Sequence, residues 1–292
     1  MNKIGTKWET IDTLHQTNFR IKKHLGQNFL VDQNILDKII EVSNIDKTTC
    51  VIEVGPGFGA LTEKLCQNAK KVLAYEIDKE LIPILKNKLK GTSNLILLNQ
   101  DILNTDIDKD IEHYFENEMD IIVCSNLPYY ITTPILMRFL ETSKRVSKLI
   151  LMMQTEVARR ITSKPNTKDY NALSIVIDYR SVATYLFKVP KTVFIPTPKV
   201  DSAIVQIEVR KEPVNQPINE PFFFKFVHNC FAQRRKTLIN NLLSAYPEHT
   251  RIDFENILTK HNLNLSIRAE AIESGAFVNL CNDVVKVIEN RN

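Results

Sequence analysis

The sequence predicts an α/β fold in which an open parallel sheet with helices on both faces is followed by a smaller all-helical domain. Apolar, strand-like runs alternate with amphipathic segments from Cys50 onward. A glycine turn directly follows the first run, and beyond a proline-rich stretch the apolar residues recur only at helical spacing. This pattern is typical of a doubly wound sheet that carries an appended helical domain.

Each predicted strand is a short run of mostly apolar residues, and a helix-like segment separates one run from the next. The five predicted core strands are Val51–Val54, Val72–Ile77, Leu95–Leu98, Ile121–Cys124 and Lys148–Met153. The predicted helices between or after them are Ala60–Gln67, Lys79–Lys90 and Glu156–Ile161. Two later segments rich in β-branched residues, Ser174–Asp178 and Ser202–Val209, are predicted to close one edge of the sheet.

A proline-rich stretch predicts the domain boundary. Glu212–Pro221 contains three prolines and no apolar periodicity, which is typical of a linker. We therefore expect an α/β domain over residues 1–211, with a basic N-terminal extension, and a helical domain over residues 212–292. Apolar residues at helical spacing from Val227 to Leu242 predict the first helix of the second domain.

Composition and missing motifs exclude several function classes. No apolar run in the 292 residues approaches the roughly 18 residues of a membrane span. The polar first twenty residues lack the apolar segment of a secretory signal, so a cytoplasmic protein is expected. No zinc-protease, nucleophile-elbow, P-loop or paired-cysteine motif occurs, and no metal site is predicted.

Charge is distributed unevenly along the chain. Residues 1–30 carry five Lys/Arg and two Asp/Glu, residues 31–130 carry ten and seventeen, and residues 131–292 carry twenty-three and fifteen. Basic ends therefore flank an acidic middle, although the formal net charge is only +4. This asymmetry favours a polyanion bound by the ends and a less anionic ligand bound by the middle.

Glycine and acidic residues after successive strands predict a nucleotide-type cofactor site. Gly55 lies in the turn after the first strand, where glycine permits close backbone approach to a ligand. Glu76 ends the second strand, where its carboxylate can accept both ribose hydroxyls. Asp101 follows the third strand, where its carboxylate can accept an adenine amino group. Together they favour S-adenosylmethionine, while an NAD oxidoreductase remains an alternative.

The residues after the fourth strand favour chemistry on an adenine amine. The Asn126 side-chain oxygen and the Leu127 carbonyl can accept both amine hydrogens and direct the nitrogen lone pair toward a sulfonium methyl group. Pro128 fixes the local backbone and brings no competing donor, and Tyr129 offers a ring on which the base can stack. No strong general base is required, because the sulfonium is already activated and the proton can leave after transfer. Positioning, which can supply roughly 7 to 11 kcal/mol, is the larger contribution.

The chain resembles the ribosomal RNA adenine N6,N6-dimethyltransferases of the bacterial small-subunit type, the KsgA family, which is related to the erythromycin-resistance methyltransferases. The resemblance covers nearly the whole chain. It is carried by Leu25–Leu30, Glu53–Gly57 with Leu61 and Thr62, Glu76–Asp78, Gln100–Asp101, Asn126–Tyr130, Phe194–Ser202 and Phe231–Leu238. It implies a Rossmann-like domain that uses S-adenosylmethionine to dimethylate two adjacent adenosines near the 3′ end of small-subunit (16S) ribosomal RNA during ribosome biogenesis.

The same resemblance implies roles in cofactor binding. Asn28 and Leu30 are expected to help close over the cofactor, and Gly55 to line it. Glu76 is expected to hold the ribose and Asp101 the adenine.

The resemblance also implies roles in RNA binding. Asn126 is expected to touch both the cofactor and the target amine, and Phe194 to form a second aromatic wall opposite Tyr129, with the extruded adenine between the two rings. Arg234 and Arg235, placed on the first helix of the second domain, are expected to contact RNA phosphates. A monomer that acts on small-subunit RNA is implied.

Two further alternatives remain open: a resistance-type enzyme that modifies large-subunit RNA, and a catalytically silent RNA-binding assembly factor. The proline-rich stretch after Phe194 and the basic segment near Arg234 favour the small-subunit enzyme over the first. The complete set of Glu76, Asp101 and the Asn126 motif argues against the second. Asn171 stands where the family usually has glycine, which leaves the geometry of that turn open.

Overall fold

The computed structural model of the chain describes residues 3–116, 120–213 and 215–289. Its strands are β1 Phe29–Leu30, β2 Cys50–Val54, β3 Lys71–Tyr75, β4 Leu95–Leu98, β5 Ile121–Asn126, β6 Val146–Gln154, β7 Ser181–Val189, β8 Phe194–Ile195 and β9 Ser202–Val209. Its α-helices are α1 Lys7–Thr17, α2 Gln33–Ser43, α3 Ala60–Asn68, α4 Leu81–Lys88, α5 Ile107–Phe115, α6 Thr132–Thr142, α7 Thr155–Ile161, α8 Ala172–Arg180, α9 Glu220–Cys230, α10 Leu238–Ala245, α11 Arg251–Lys260 and α12 Ser274–Glu289.

Seven of the described strands form one sheet in the order β4-β3-β2-β5-β6-β9-β7. The first five are parallel neighbours, whereas β9 pairs antiparallel with β6. The chain order reverses at β2, because β3 and β4 extend the sheet on one side and β5 and β6 on the other. Ligands of open α/β sheets bind beyond the carboxyl ends of the strands at such a reversal. The predicted fold class and its five core strands are confirmed.

Burial explains why these strands form the centre of the sheet. All five residues of β2 are buried, as is typical of a parallel strand covered on both faces. Val51, Ile122 and Ile150 of three neighbouring strands belong to one apolar cluster with Leu36 of α2.

In the described part of the chain, no helix is long and apolar enough to cross a membrane.

The predicted strand at Ser174–Asp178 is wrong, because the segment lies within α8. Asn171 caps this helix: its Oδ1 accepts from the Leu173 N–H at 2.8 Å, and its own N–H donates to the Ser174 hydroxyl at 3.1 Å. The cap and the burial of Ile175 override the β-branched composition. The Asn171 backbone is extended, so this position does not require glycine.

The chain divides into two compact units. The first comprises Met1–Ala158 and Thr184–Val209, and the second comprises Arg159–Ala183 and Arg210–Asn292. Residues 159–183 join the second unit because α8 packs with the C-terminal helices, and the Tyr170 hydroxyl donates to the Ile272 carbonyl at 2.9 Å. The predicted domain boundary between residues 211 and 212 remains a prediction.

The predicted helix across residues 227–242 is wrong, because two helices with a turn between them occupy this region. α9 ends at Cys230, and α10 begins eight residues later. The buried Asn241 side chain of α10 donates to the Cys230 carbonyl at 2.8 Å, and its Oδ1 accepts from the Gln233 N–H at 3.2 Å. Arg234–Lys236 therefore lie in an exposed turn and not on a helix.

Candidate active site

An open cavity lies at the carboxyl ends of β2, β3 and β5, and its empty space of about 1080 Å³ includes open solvent. Its position matches the reversal of strand order described above. The predicted site residues that line it are Asn28, Leu30, Gly55, Glu76, Asp101, Asn126, Leu127, Pro128 and Tyr129. The fold thus brings together nine residues from five separate segments of the sequence.

The glycine turn leaves the cavity floor open to a ligand. Gly55 has φ +68°, in the left-handed region that favours glycine, and its N–H donates to the Tyr75 carbonyl at 2.8 Å. A Cβ at this position would come within 3.8 Å of the Pro128 ring. The bare backbone of Gly55 therefore faces the proline of the predicted target site.

Glu76 is a buried acceptor in the cavity wall. Only 4 % of the residue is exposed, and burial raises the pKa of its carboxyl to about 7. The Asp78 N–H donates to its Oε1 at 2.8 Å and the Gly57 N–H to its Oε2 at 3.4 Å, which orients the group and favours its ionised form. A carboxylate fixed in this way is suited to accept ribose hydroxyls.

Glu53 is a second buried carboxyl in the cavity wall, which the sequence analysis did not include among the site residues. It is 1 % exposed, and its Oε2 has no hydrogen-bond partner within the described chain. The pKa of Glu53 is raised to about 8, mainly by burial, with a smaller opposing effect of the Thr62 hydroxyl and a smaller raising effect of the Glu76 carboxylate. An acidic residue inside an otherwise apolar strand was the signal that could have identified it. An unpartnered buried group of this kind fits a cavity that receives a polar ligand.

Asp101 lines the cavity and also caps a short helical turn. Its carboxylate accepts from the Leu103 N–H at 3.0 Å and from Asn104 Nδ2 at 2.9 Å. These bonds fix the carboxylate, and an acceptor oxygen carries more than one lone pair. Its role as the adenine acceptor remains a prediction.

Asn126 ends β5 with its amide held in one orientation. Its Nδ2 donates to the backbone carbonyl of Asn28 at 3.3 Å, so Oδ1 is the end that can accept an amine hydrogen. The Asn28 side chain in turn donates to the Gly26 carbonyl at 3.0 Å. The loop before β1 therefore supports the residue predicted to hold the target amine.

The rest of the motif is anchored by backbone and side-chain bonds. The Leu127 N–H donates to the Met152 carbonyl at 3.2 Å, and the Pro128 carbonyl accepts from the Ile131 N–H at 3.3 Å. The Tyr129 hydroxyl lies 2.7 Å from Ser202 Oγ of β9. Burial raises the pKa of Tyr129, so this hydroxyl is neutral at physiological pH.

Phe194 is the one predicted site residue that does not line the cavity. It is 2 % exposed and belongs to the apolar cluster of the first unit. In β8 it pairs antiparallel with Leu30 of β1, which does line the cavity. Its role as the wall opposite Tyr129 stays a prediction.

The N-terminal helix also contributes to the cavity, which the sequence analysis missed. Gly5 and Thr10 are among the lining residues, and the Glu9 carboxylate accepts from the Gly5 N–H at 3.2 Å. The signal was the spacing of Thr6 and Glu9, since the Thr6 hydroxyl accepts from the Glu9 N–H at 3.3 Å as a helix cap does.

An α/β sheet with a glycine turn after β2, a buried carboxylate after β3 and an Asn-Leu-Pro-Tyr strand end is the arrangement of an adenine-directed methyltransferase of the Rossmann-like class. The family model described as "Ribosomal RNA adenine dimethylase" matches residues 18–282. The chain therefore belongs to the ribosomal RNA adenine dimethylase family.

Relatives match over nearly their whole length. A ribosomal RNA small subunit methyltransferase A of Geobacillus sp. is 44% identical over 99% of this chain and 100% of its own length. The one of Streptococcus gordonii is 47% identical over 91% and 93%. These findings confirm the predicted family and methyltransferase class, with S-adenosylmethionine as the cofactor.

Two solved structures share the fold. A dimethyladenosine transferase from Plasmodium falciparum has a TM-score of 0.72 and 25% identity, covering 88% of this chain and 97% of its own. The 23S rRNA methyltransferase ErmE has a TM-score of 0.66 and 26% identity over 88% and 99%.

Proposed function

We infer that this chain transfers methyl groups from S-adenosylmethionine to the N6 atoms of adenosines in small-subunit ribosomal RNA. The target is two adjacent adenosines near the 3′ end of the RNA, modified during ribosome biogenesis. The observation that most supports this function is the orientation of the Asn126 amide. Its Nδ2 donates to the Asn28 carbonyl, which leaves Oδ1 to accept a hydrogen bond from an amine. The small-subunit enzymes among the relatives support the choice of RNA.

The cavity residues fit the cofactor. Glu76 would hold the ribose and Asp101 the adenine, while the open backbone at Gly55 lets the ligand approach closely. Asn28 and Leu30 would close the cavity from the N-terminal side. When bound, S-adenosylmethionine supplies a methyl group on a sulfonium, which is already activated for transfer.

The remaining site residues position the target amine. Asn126 Oδ1 and the Leu127 carbonyl accept its two hydrogens, which directs the nitrogen lone pair away from the ring system. Pro128 fixes the backbone between them, and Tyr129 supports the base. Alignment is the main contribution of these groups, because the amine is a weak nucleophile and the methyl donor is already activated.

RNA recognition is proposed for the helical region, with residues 1–211 carrying the chemistry and residues 212–292 the RNA contacts. Arg235 and Lys236 are exposed in the turn before α10, where they can reach phosphates. The protein is proposed to act as a monomer in the cytoplasm.

The test compares two RNA substrates. The protein is incubated with labelled S-adenosylmethionine and either unmodified small ribosomal subunits or naked large-subunit RNA, and the products are mapped by mass. We expect label on two adjacent adenosines of the small subunit. Label on large-subunit RNA alone would refute the proposed target and assign the resistance-type activity.

A further inference from the structure

We propose that Asp78 is a positioning residue for methyl transfer, which holds the loop 22–28 so that this loop can orient the Asn126 amide. The proposal rests on the proposed function of Asn126 as the clamp for the target amine. Asp78 is not among the residues that line the cavity, so it acts only through its neighbours. It lies two residues after Glu76, and its N–H donates to the Glu76 carboxylate.

Asp78 is a buried carboxylate with both oxygens engaged in hydrogen bonds. It is 3 % exposed, and its Oδ1 accepts from Lys22 Nζ at 2.7 Å and from the Glu80 N–H at 3.1 Å. Its Oδ2 accepts from Gln27 Nε2 at 2.8 Å. A buried charge with this many donors is held rigidly, and removal of one partner leaves the others unsatisfied.

Gln27 transmits this anchoring to the loop. Its Nε2 donates to Asp78, while its Oε1 accepts from the backbone N–H of Lys22 at 2.7 Å, which closes the loop on itself. The next residue, Asn28, presents the carbonyl that accepts from Asn126 Nδ2. One hydrogen bond, the Gln27 side chain and one peptide unit therefore connect the Asp78 carboxylate to the residue whose carbonyl orients the Asn126 amide.

The backbone of Asp78 serves the cofactor side at the same time. Its N–H donates to Glu76 Oε1 at 2.8 Å and so orients the carboxylate proposed to hold the ribose. One residue thus fixes the acceptor for the cofactor and, through Gln27, the acceptor for the target amine. Because alignment dominates this reaction, displacement of the loop should lower kcat more than it weakens cofactor binding.

The experiment reverses the direction of the Asp78–Gln27 hydrogen bond. Asp78→Asn leaves one acceptor oxygen, which can serve either Gln27 or the Lys22 and Glu80 donors but not both sides. When it serves Lys22 and Glu80, its amide nitrogen faces the Gln27 amide and the bond is lost. Gln27→Glu places a carboxylate against the Asp78 carboxylate and loses the bond directly. The double variant restores one donor and one acceptor with the same shapes. We expect each single variant to lower kcat by on the order of 10²-fold with the KM for S-adenosylmethionine changed less than about threefold, and the double variant to recover most of kcat.

Three further measurements keep the result interpretable. Gln27→Met removes the donor but leaves the Asp78–Lys22 pair, so it tests the same link if the charge variants do not fold; it should also lower kcat. Glu80→Gln is the matched control, because Glu80 Oε1 contacts the same Lys22 Nζ at 3.1 Å but is half exposed; its kcat should be unchanged. Unfolding midpoints verify that the variants are folded.

Unchanged kcat in folded Gln27→Met, or a double variant no better than the singles, would overturn the proposal. Failure of the proposed function looks different, because the unmodified protein would then show no transfer to small subunits. An active protein that is inactivated by Asn126→Ala but insensitive to Gln27→Met would retain the function and lose only this inference.

Discussion

The Nδ2 of Asn126 donates to the backbone carbonyl of Asn28 across 3.3 Å, and this contact joins the end of β5 to the loop before β1. The two residues are separated by almost one hundred positions in the sequence. The bond fixes the orientation of the amide, with Nδ2 toward the Asn28 carbonyl and Oδ1 left as the acceptor for a substrate amine. The proposed orientation of the target amine therefore depends on the loop before β1.

Asn126→Ala is expected to lower the rate of methyl transfer by about 10²-fold or more, because the amine loses its aligned acceptor. Asn126→Asp should also be impaired, since a carboxylate oxygen would face the Asn28 carbonyl. Single-turnover transfer and RNA binding by fluorescence anisotropy measure the two effects separately. RNA affinity should stay within about threefold of the unmodified protein.

Asn87→Ala is the control for this pair, because Asn87 is exposed on α4. It should leave both quantities unchanged. Equal losses of transfer and RNA binding in Asn126→Ala would indicate a structural role for Asn126.

The affinity for S-adenosylmethionine should rise with pH through the pKa of Glu76. Burial holds this pKa at about 7, and only the ionised carboxylate is a strong acceptor for ribose hydroxyls. Titration calorimetry should show roughly tenfold tighter binding at about pH 8 than at about pH 6. Glu76→Gln should bind weakly and without this dependence, whereas Glu141→Gln, at an exposed position, should retain it. A pH-independent affinity in the unmodified protein would contradict the ribose role.

Glu53 should make the folded protein less stable as pH rises. Its pKa is raised from 4.5 to about 8 by burial, so between these values the folded form holds a proton that the unfolded form has released. This proton stabilises the folded form fully below the unfolded-state pKa of 4.5. The stabilisation is lost as the pH rises through the folded-state pKa of about 8. The expected slope is about 1.4 kcal/mol per pH unit from this group.

Urea unfolding at several pH values tests this slope. Because Glu76 contributes in the same direction, the informative quantity is the difference between the unmodified protein and Glu53→Gln. The variant should have a shallower decline between about pH 5 and about pH 7.5. Parallel declines in the two proteins would show that Glu53 does not carry the effect.

Gly26→Ala should impair both stability and transfer. Gly26 has φ +62°, and a Cβ there would come within 3.1 Å of the Tyr130 ring, which lines the cavity. Gly91→Ala shares the positive φ, at +90°, but its Cβ would meet nothing within 4 Å. Both variants should lose about 1 to 2 kcal/mol of unfolding free energy, and only Gly26→Ala should also slow methyl transfer. Normal transfer by Gly26→Ala would show that the loop tolerates displacement.

The cofactor half of the site was predictable because it depends on local patterns. Gly55, Glu76 and Asp101 each follow a strand that a short apolar run identifies, and a parallel sheet places such strand ends at one edge. The Asn126 motif follows the same rule. Topology alone brings these positions together.

The errors arise where a contact between distant residues decides the structure. The bonds of Asn241 to the turn after α9 end a helix that local spacing extends through Arg234. The pairing of Phe194 with Leu30, which sets its place in the core, is a second such contact, and the role of Phe194 beside the target base stays a prediction. Neither contact can be predicted from the pattern of residues that neighbour it in the sequence.

Arg235→Ala should reduce the salt dependence of RNA binding. Arg235 is exposed in the turn before α10, and each phosphate contact that is removed should lower the slope of log K against log salt by about 0.7 to 1. Arg234→Ala should have a smaller effect, because Arg234 Nε is paired with Glu270 Oε2 at 2.8 Å and is already partly engaged. Arg235→Ala should therefore bind RNA more weakly than the unmodified protein, and the difference between the two affinities should be larger at low salt than at high salt. Lys86→Ala, which removes an exposed charge from α4, should keep the full slope, and an unchanged slope in Arg235→Ala would refute its phosphate contact.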